Sequence, residues 1–273
     1  MQAVILCGGL GTRMGGRVKS LIPVRGRPFI EWQLERLLAA GFDDFVLCMT
    51  EKGGGLEVIR HLSQTPRRGK SMRFCLEPEP TGTANALRLL TTEARGMTFV
   101  LDREKSSGQR IEGHYEPMSL LSDEFLITYG DSFIDYRYGF AALALAQSAI
   151  SGCAAVMTVC ETSPSYVNGN VMLSADRKFV RDVFKSKNDG MGVDFIDYGA
   201  IAIRRAVLER IKATSPDLND ELGGWARTPI LDPRGKDGGF VRALVVPERF
   251  HEIGSPQGLS NLEAHLGRKE AIT

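Results

Sequence analysis

Ala3-Val-Ile-Leu-Cys7, followed by Gly8-Gly-Leu-Gly-Thr-Arg13, decides the fold class. The apolar run shows no alternation, as expected of a strand buried on both faces of a parallel sheet. Glycines directly after it place a backbone-lined loop at the strand's C-terminal end, where open α/β sheets bind ligands. Without Cβ atoms, backbone N–H groups there can approach phosphate oxygens. A plain strand-to-helix turn explains two glycines, but not the adjoining Thr12 and Arg13 or the nearby Lys19.

Outward from this loop, strand and helix signals alternate. Pro28-Phe-Ile-Glu-Trp-Gln-Leu-Glu-Arg-Leu-Leu-Ala-Ala-Gly41 has proline at its first turn and glycine past its end, a punctuated helix. Phe45–Met49, Met72–Leu76, Phe125–Tyr129 and Ala154–Val159 read as strands; Leu56–Leu62, Thr83–Leu90 and Tyr138–Ala149 read as helices. This order predicts an α/β, Rossmann-like and mainly parallel sheet flanked by helices. Val171–Leu173, Val180–Phe184 and Ile196–Ile203 predict extra strands in the C-terminal half, laid over the first sheet as an acceptor lid, with Arg204–Lys212 helical. The polar stretch Arg95–Met118 reads as a long loop. With no repeat and no Pro/Ser-rich linker, one domain spans 1–273, read as two halves, 1–135 and 136–273.

Composition narrows the class. Hydrophobic residues make up 43% and charged residues 25% of 273, ordinary for a soluble globular chain. A net charge of +1 gives no field for a nucleic-acid binder. Positive charge gathers instead at Arg13, Arg17, Lys19, Arg25 and Arg27. The N-terminus lacks a signal-peptide pattern, and Phe140–Val159 is broken by Gln147, Ser148, Ser151 and Gly152, so neither secretion nor a membrane span is expected. Five cysteines without a CxxC predict reduced thiols in a cytoplasmic protein.

Two common phosphate motifs fail on residues they require. A dinucleotide GxGxxG beginning at Gly9 meets Met14 where glycine is needed, and a Walker loop from Gly11 meets Arg17 where lysine is needed. What remains resembles the sugar-1-phosphate nucleotidyltransferase family. The likeness lies in Leu6-Cys-Gly-Gly-Leu-Gly-Thr-Arg-Met14, Lys19 and Ile22-Pro-Val-Arg-Gly-Arg-Pro28. It continues in Glu77-Pro-Glu-Pro-Thr-Gly-Thr-Ala-Asn-Ala-Leu87, Tyr129-Gly-Asp-Ser132, Asp197-Tyr-Gly199 and Glu252-Ile-Gly-Ser-Pro256. These islands run in family order across nearly the whole chain. The opening segment looks most like the heptose and mannose 1-phosphate guanylyltransferases.

The resemblance implies attack by a sugar phosphate on the α-phosphorus of an NTP, with Mg²⁺ as cofactor and pyrophosphate released. It sets Arg13, Lys19 and Asp131 in catalytic roles. It sets Leu6, Cys7, Gly8, Gly9, Gly11, Thr12, Glu77, Gly82 and Thr83 on the nucleotide. Gly130, Lys185, Asp197 and Gly199 fall on the sugar phosphate. Asp131 ends an apolar strand, where a carboxylate suits a metal better than packing; Glu252, where relatives carry Asp, is the second implied ligand. Glu77 matches a position facing the nucleobase, and a carboxylate suits the paired donors of guanine, which favours GTP. His251 beside Glu252 reads as a surface histidine.

Three departures keep alternatives open. The short Arg13-to-Lys19 loop resembles molybdopterin guanylyltransferases and small cytidylyltransferases. Phe184-Lys185-Ser186 and Asp197 differ from the usual acceptor motifs. A non-catalytic nucleotide-binding relative would also keep the loop. A homo-oligomer is compatible with the sequence.

Overall fold

The computed structural model describes residues 1–65, 71–91, 97–101, 112–113, 121–134, 153–162, 169–184, 193–212, 214–227, 240–247 and 250–270. In chain order, β1 (Gln2–Leu6) precedes a short hairpin, β2 (Pro23–Val24) and β3 (Arg27–Pro28), and α1 (Phe29–Ala39). Then come β4 (Asp44–Thr50), α2 (Gly55–Gln64), β5 (Ser71–Glu77), α3 (Thr83–Leu89), β6 (Met97–Leu101) and β7 (Glu112–Gly113). β8 (Glu124–Tyr129), β9 (Ser132–Phe133) and β10 (Cys153–Glu161) lead to β11 (Val171–Leu173), β12 (Val180–Val183) and β13 (Phe195–Arg204). α4 (Arg205–Leu208), α5 (Leu218–Arg227), β14 (Phe240–Val246), β15 (His251–Glu252) and α6 (Pro256–Glu270) follow.

The parallel sheet expected from the apolar runs forms the centre, in the order β8-β1-β4-β5. Alternate residues of β1 serve two cores, because successive side chains leave a strand on opposite faces. Ala3 and Ile5 pack with Ile30, Leu34, Val58 and Ile59 of α1 and α2. Val4 packs with Ala84, Leu87, Leu218 and Leu222 of α3 and α5. All three β1 residues are fully buried, which explains why the run lacks polar alternation.

The margins are antiparallel except for the parallel pair β10–β14. β13 hydrogen-bonds β8, β11 and β12 continue outward from it, and β10 pairs with β13 and β14. The extra strands therefore prolong the sheet edge-on instead of lying over it as a lid. On the other margin, β6 and β7 fall inside 95–118, the stretch read as loop. Met97-Thr-Phe-Val-Leu101 carries enough strand-forming residues to pair with β5 despite its polar flanks. The predicted helix Tyr138–Ala149 lies outside the described residues. Among the described residues no helix is long and apolar enough to cross a membrane.

Candidate active site

β1, β4, β5 and β8 turn their C-terminal ends to one cavity of about 400 Å³. β1 is where the strand order reverses, with β4 on one side and β8 on the other, the position at which such sheets bind ligands. Leu6, Cys7, Gly8 and Gly9 reach the cavity from β1, Thr50 from β4, Glu77 with Gly82 and Thr83 from β5, and Gly130 with Asp131 from β8.

The glycine loop is held by backbone and hydroxyl contacts. Thr50 donates its hydroxyl to the Gly8 carbonyl at 3.0 Å and accepts from the Gly53 N–H at 3.0 Å. The Gly11 carbonyl accepts from Met14 and Gly16 N–H groups, closing a 3-10 turn over Thr12–Met14. Met14 is buried in a satellite core with Ile22, Phe29 and Leu262, while Arg13 beside it stays exposed. A second 3-10 turn, Lys19–Leu21, returns Lys19 to the loop, with Nζ 2.8 Å from Asp131 Oδ2.

Asp131 is held in place from several sides. Gly130 donates its N–H to the Leu6 carbonyl at 2.9 Å, and a Cβ there would stand 2.6 Å from Cys7 Sγ. Only glycine allows the ends of β1 and β8 to meet this closely. Gln33 of α1, fully buried, donates to the carbonyls of Tyr129 (2.7 Å) and Ser132 (3.3 Å), clamping the turn that carries Asp131. The β15–β9 ladder sets Glu252 opposite Ser132, and Ile253 donates its N–H to the Asp131 carbonyl. A side chain at Gly254 would stand 3.3 Å from Glu252 Oε2, 3.7 Å from Arg13 Nη2 and 3.7 Å from Asp131 Oδ2. Four predicted residues, Arg13, Lys19, Asp131 and Glu252, thus converge from three distant segments. Among the described residues no group of three or more His, Cys, Asp or Glu forms a metal cage.

At the β5 end, Glu77 is 4% exposed and accepts from the Thr81 hydroxyl. Burial pushes its carboxyl above the usual range, and the Thr81 hydrogen bond opposes this. Gly82, at φ +100°, packs its Cα face against the Pro216 carbonyl, where a Cβ would overlap it. Thr83 Oγ1 accepts from the Leu218 N–H at 2.9 Å, tying α3 to the start of α5.

Asp197 is buried and is not on the cavity wall. Its carboxylate accepts from the Gly199 N–H (2.8 Å) and the Tyr129 hydroxyl (3.2 Å), with burial raising its pKa. Lys185 lies outside the described residues. The basic cluster divides: Arg27 pairs with Glu31 and Glu35, and the Arg25 backbone bonds Glu263, so the hairpin arginines serve α1 and α6. His251 is not a surface residue; it is 8% exposed, with its ring 4.4 Å from that of His265. None of the five cysteines forms a disulfide, and burial pushes the Cys7 and Cys75 thiols up to about 12.

Sequence reasoning missed Thr50, Tyr129, Asp217 and Asn219 on the cavity wall, and Gln33 behind it. The strand-end rule that singled out Asp131 also points to Thr50 and Tyr129. Asp217 and Asn219 arrive from a helix start with no strand to announce them.

The chain belongs to the MobA-like NTP transferase domain family, whose profile matches residues 3–161. It is similar to the D-glycero-alpha-D-manno-heptose 1-phosphate guanylyltransferase of Campylobacter jejuni, 32% identical over 106 residues, 37% of this chain and 47% of that protein. A probable mannose-1-phosphate guanylyltransferase of Arabidopsis thaliana is 25% identical over 263 residues, 94% of this chain and 62% of that one. The matched region is thus less than two thirds of either relative's length. HddC from Yersinia pseudotuberculosis, solved in complex with GMP-PN, shares the fold at a TM-score of 0.68 with 19% identity, over 97% of this chain and 99% of that one.

Proposed function

We propose that the chain transfers a guanylyl group from GTP to a sugar 1-phosphate of the heptose or mannose kind, releasing pyrophosphate. The observation that carries this is the convergence of Arg13, Lys19, Asp131 and Glu252 beside a glycine loop at the β1 switch point. An acceptor phosphate oxygen forms a bond to the α-phosphorus while the bond to the pyrophosphate bridging oxygen breaks, its electron pair leaving with pyrophosphate. Two anions must approach, so positive charge must be concentrated at the reacting phosphates. Lys19 supplies a mobile ammonium and Arg13 a planar fork suited to two phosphate oxygens.

Asp131 and Glu252 fit Mg²⁺, which typically takes one or two carboxylates together with phosphate oxygens. The longer Glu252 side chain is accommodated by its ladder position, which sets it beside the Asp131 turn. When bound, the metal would neutralise phosphate charge. The GMP-PN complex of HddC and the names of the two relatives support guanine, as does a carboxylate at Glu77 able to accept two adjacent N–H donors. Five cysteines, none in a disulfide, support a reducing compartment such as the cytoplasm.

The test is a matrix of five NTPs against mannose, glucose and heptose 1-phosphates, read by pyrophosphate release. Release is expected only with an NTP, Mg²⁺ and a sugar 1-phosphate together, and most rapidly with GTP. No release with any pair would contradict the proposal.

A further inference from the structure

Glu77 and Tyr129 stand at the ends of β5 and β8, separated in the sheet by β4 and β1. Three strand spacings put roughly 14 Å between them. With the base at Glu77 and the phosphates at the glycine loop and Lys19, the Tyr129 end is left for the acceptor. Its lining is distinct from the rest: Tyr129, Asp217 and Asn219 all face the cavity.

These groups are linked. The Tyr129 hydroxyl donates to Asp197 Oδ2 at 3.2 Å and lies 3.5 Å from Asn219 Oδ1, and the Asn219 amide also bonds the Asp197 carboxylate. Asp197 accepts the Gly199 N–H with its other oxygen and takes its own backbone N–H to Asn170 Oδ1 at 2.9 Å. Asp217 accepts the Asn219 N–H at 2.9 Å with Oδ1, a cap on the start of α5. The segment is fixed to the nucleotide side by Thr83 Oγ1 on the Leu218 N–H and by the Ala84 N–H on the Pro216 carbonyl.

We propose that Tyr129, Asp217 and Asn219 form the wall that reads the hydroxyls of the acceptor sugar, with Asp197 a positioning residue behind them. This rests on the nucleotidyltransferase reading above. A sugar hydroxyl both donates and accepts; Asp217 offers a carboxylate oxygen, and Tyr129 and Asn219 offer oriented polar groups whose rotamers Asp197 holds. Asp197 acts through them, since its own oxygens are occupied by Gly199, Tyr129 and Asn219.

Calorimetric titration with GDP, GDP-mannose and GDP-glucose tests this without requiring turnover. The wild type is expected to bind one of the two GDP-sugars about tenfold more tightly than GDP, the scale of one hydrogen bond to a charged group. Asp217→Asn keeps the helix cap and removes the charge; it and Asn219→Ala should lower that GDP-sugar to the level of GDP with GDP binding unchanged. Asp197→Ala should lose the same advantage with GDP binding unchanged, and Asp197→Asn, whose amide oxygen can still accept from the Tyr129 hydroxyl, should restore part of it. Equal binding of all three ligands by the wild type overturns the proposal, as does loss of GDP itself in Asp217→Asn, which would make this the ribose wall. Failure of the wild type to bind GDP at all contradicts the parent reading of a guanine-nucleotide enzyme and the proposal with it.

Discussion

Lys19 Nζ stands 2.8 Å from Asp131 Oδ2, the two side chains 17% and 29% exposed and 112 residues apart in the chain. The pair closes the glycine loop onto the end of β8, each charge neutralising the other. In the proposed transfer, Asp131 would turn to the metal and Lys19 to phosphate, so the two would exchange partners.

This exchange separates binding from chemistry. Asp131→Asn frees the ammonium, and metal-free GTP should bind the variant at least as tightly as it binds the wild type, measured by calorimetry in EDTA. Turnover should fall at least about a hundredfold, the scale of lost electrostatic stabilisation. Circular dichroism should show the fold retained. Weaker metal-free binding with turnover intact would remove Asp131 from the metal site.

Glu77 predicts a pH dependence of known sign. Burial raises its carboxyl pKa above the unfolded value, so the folded state holds the proton to higher pH. Its contribution to stability is therefore fully present below the unfolded pKa and is lost as pH rises through the folded pKa. Glu77→Gln should raise Tm at pH 7 relative to the wild type and flatten this part of the profile. The proposed guanine recognition by Glu77 runs the other way: it would need the ionised form, so GTP affinity should fall on acidification in the wild type and be less pH-dependent in the variant. A wild-type affinity unchanged through the carboxylate range would show that Glu77 does not face the base.

At Gly82 both backbone conformation and space are restrictive. φ is +100°, and a Cβ would overlap the Pro216 carbonyl. Gly82→Ala should destabilise the fold by about 1–3 kcal/mol, the cost of a strained residue, read by urea denaturation. It should also weaken nucleotide binding, because α3 and the 216–219 segment move together through the Thr83 and Ala84 contacts. Ala at 82 with unchanged stability would mean that this contact is not maintained in solution.

The thiols give a check on burial. Cys48, Cys75, Cys153 and Cys160 are buried, and Cys7 is partly so with its pKa pushed up to about 12. Iodoacetamide at pH 7.5 should leave the native protein essentially unlabelled over minutes, while all five thiols react in guanidinium, counted by mass spectrometry. Rapid labelling of Cys48 in the native state would contradict the packing of β4 between β1 and β5.

The centre of the fold was legible because parallel strands buried on both faces advertise themselves as unbroken apolar runs, as Ala3–Cys7 and Phe45–Met49 do. At the end of the Phe125–Tyr129 run the same reading singled out Asp131, while Thr50 and Tyr129, in equivalent strand-end positions, were passed over. The margins were less legible. Met97–Leu101 sits between polar flanks, and its strand pairing depends on the edge offered by β5. The separation of Arg25 and Arg27 from Arg13 was hidden for a different reason: proximity in sequence does not show that a hairpin turns them toward α1 and α6. Asp217 and Asn219 are held at the cavity by the Leu218 bond to Thr83, 135 residues upstream, and by the Asn219 contact with Tyr129, 90 residues upstream. Local pattern carries no trace of such long-range pairing.

Transfer of an intact guanylyl group, as proposed, is tested most directly by ³¹P nuclear magnetic resonance of the reaction mixture. GTP, mannose 1-phosphate and Mg²⁺ with the protein should yield a sugar-linked diphosphate and pyrophosphate in equal amounts, with heptose 1-phosphate in a parallel reaction. GTP left unchanged with both sugars, or hydrolysed to GDP and phosphate with the sugar phosphate resonance untouched, would contradict it.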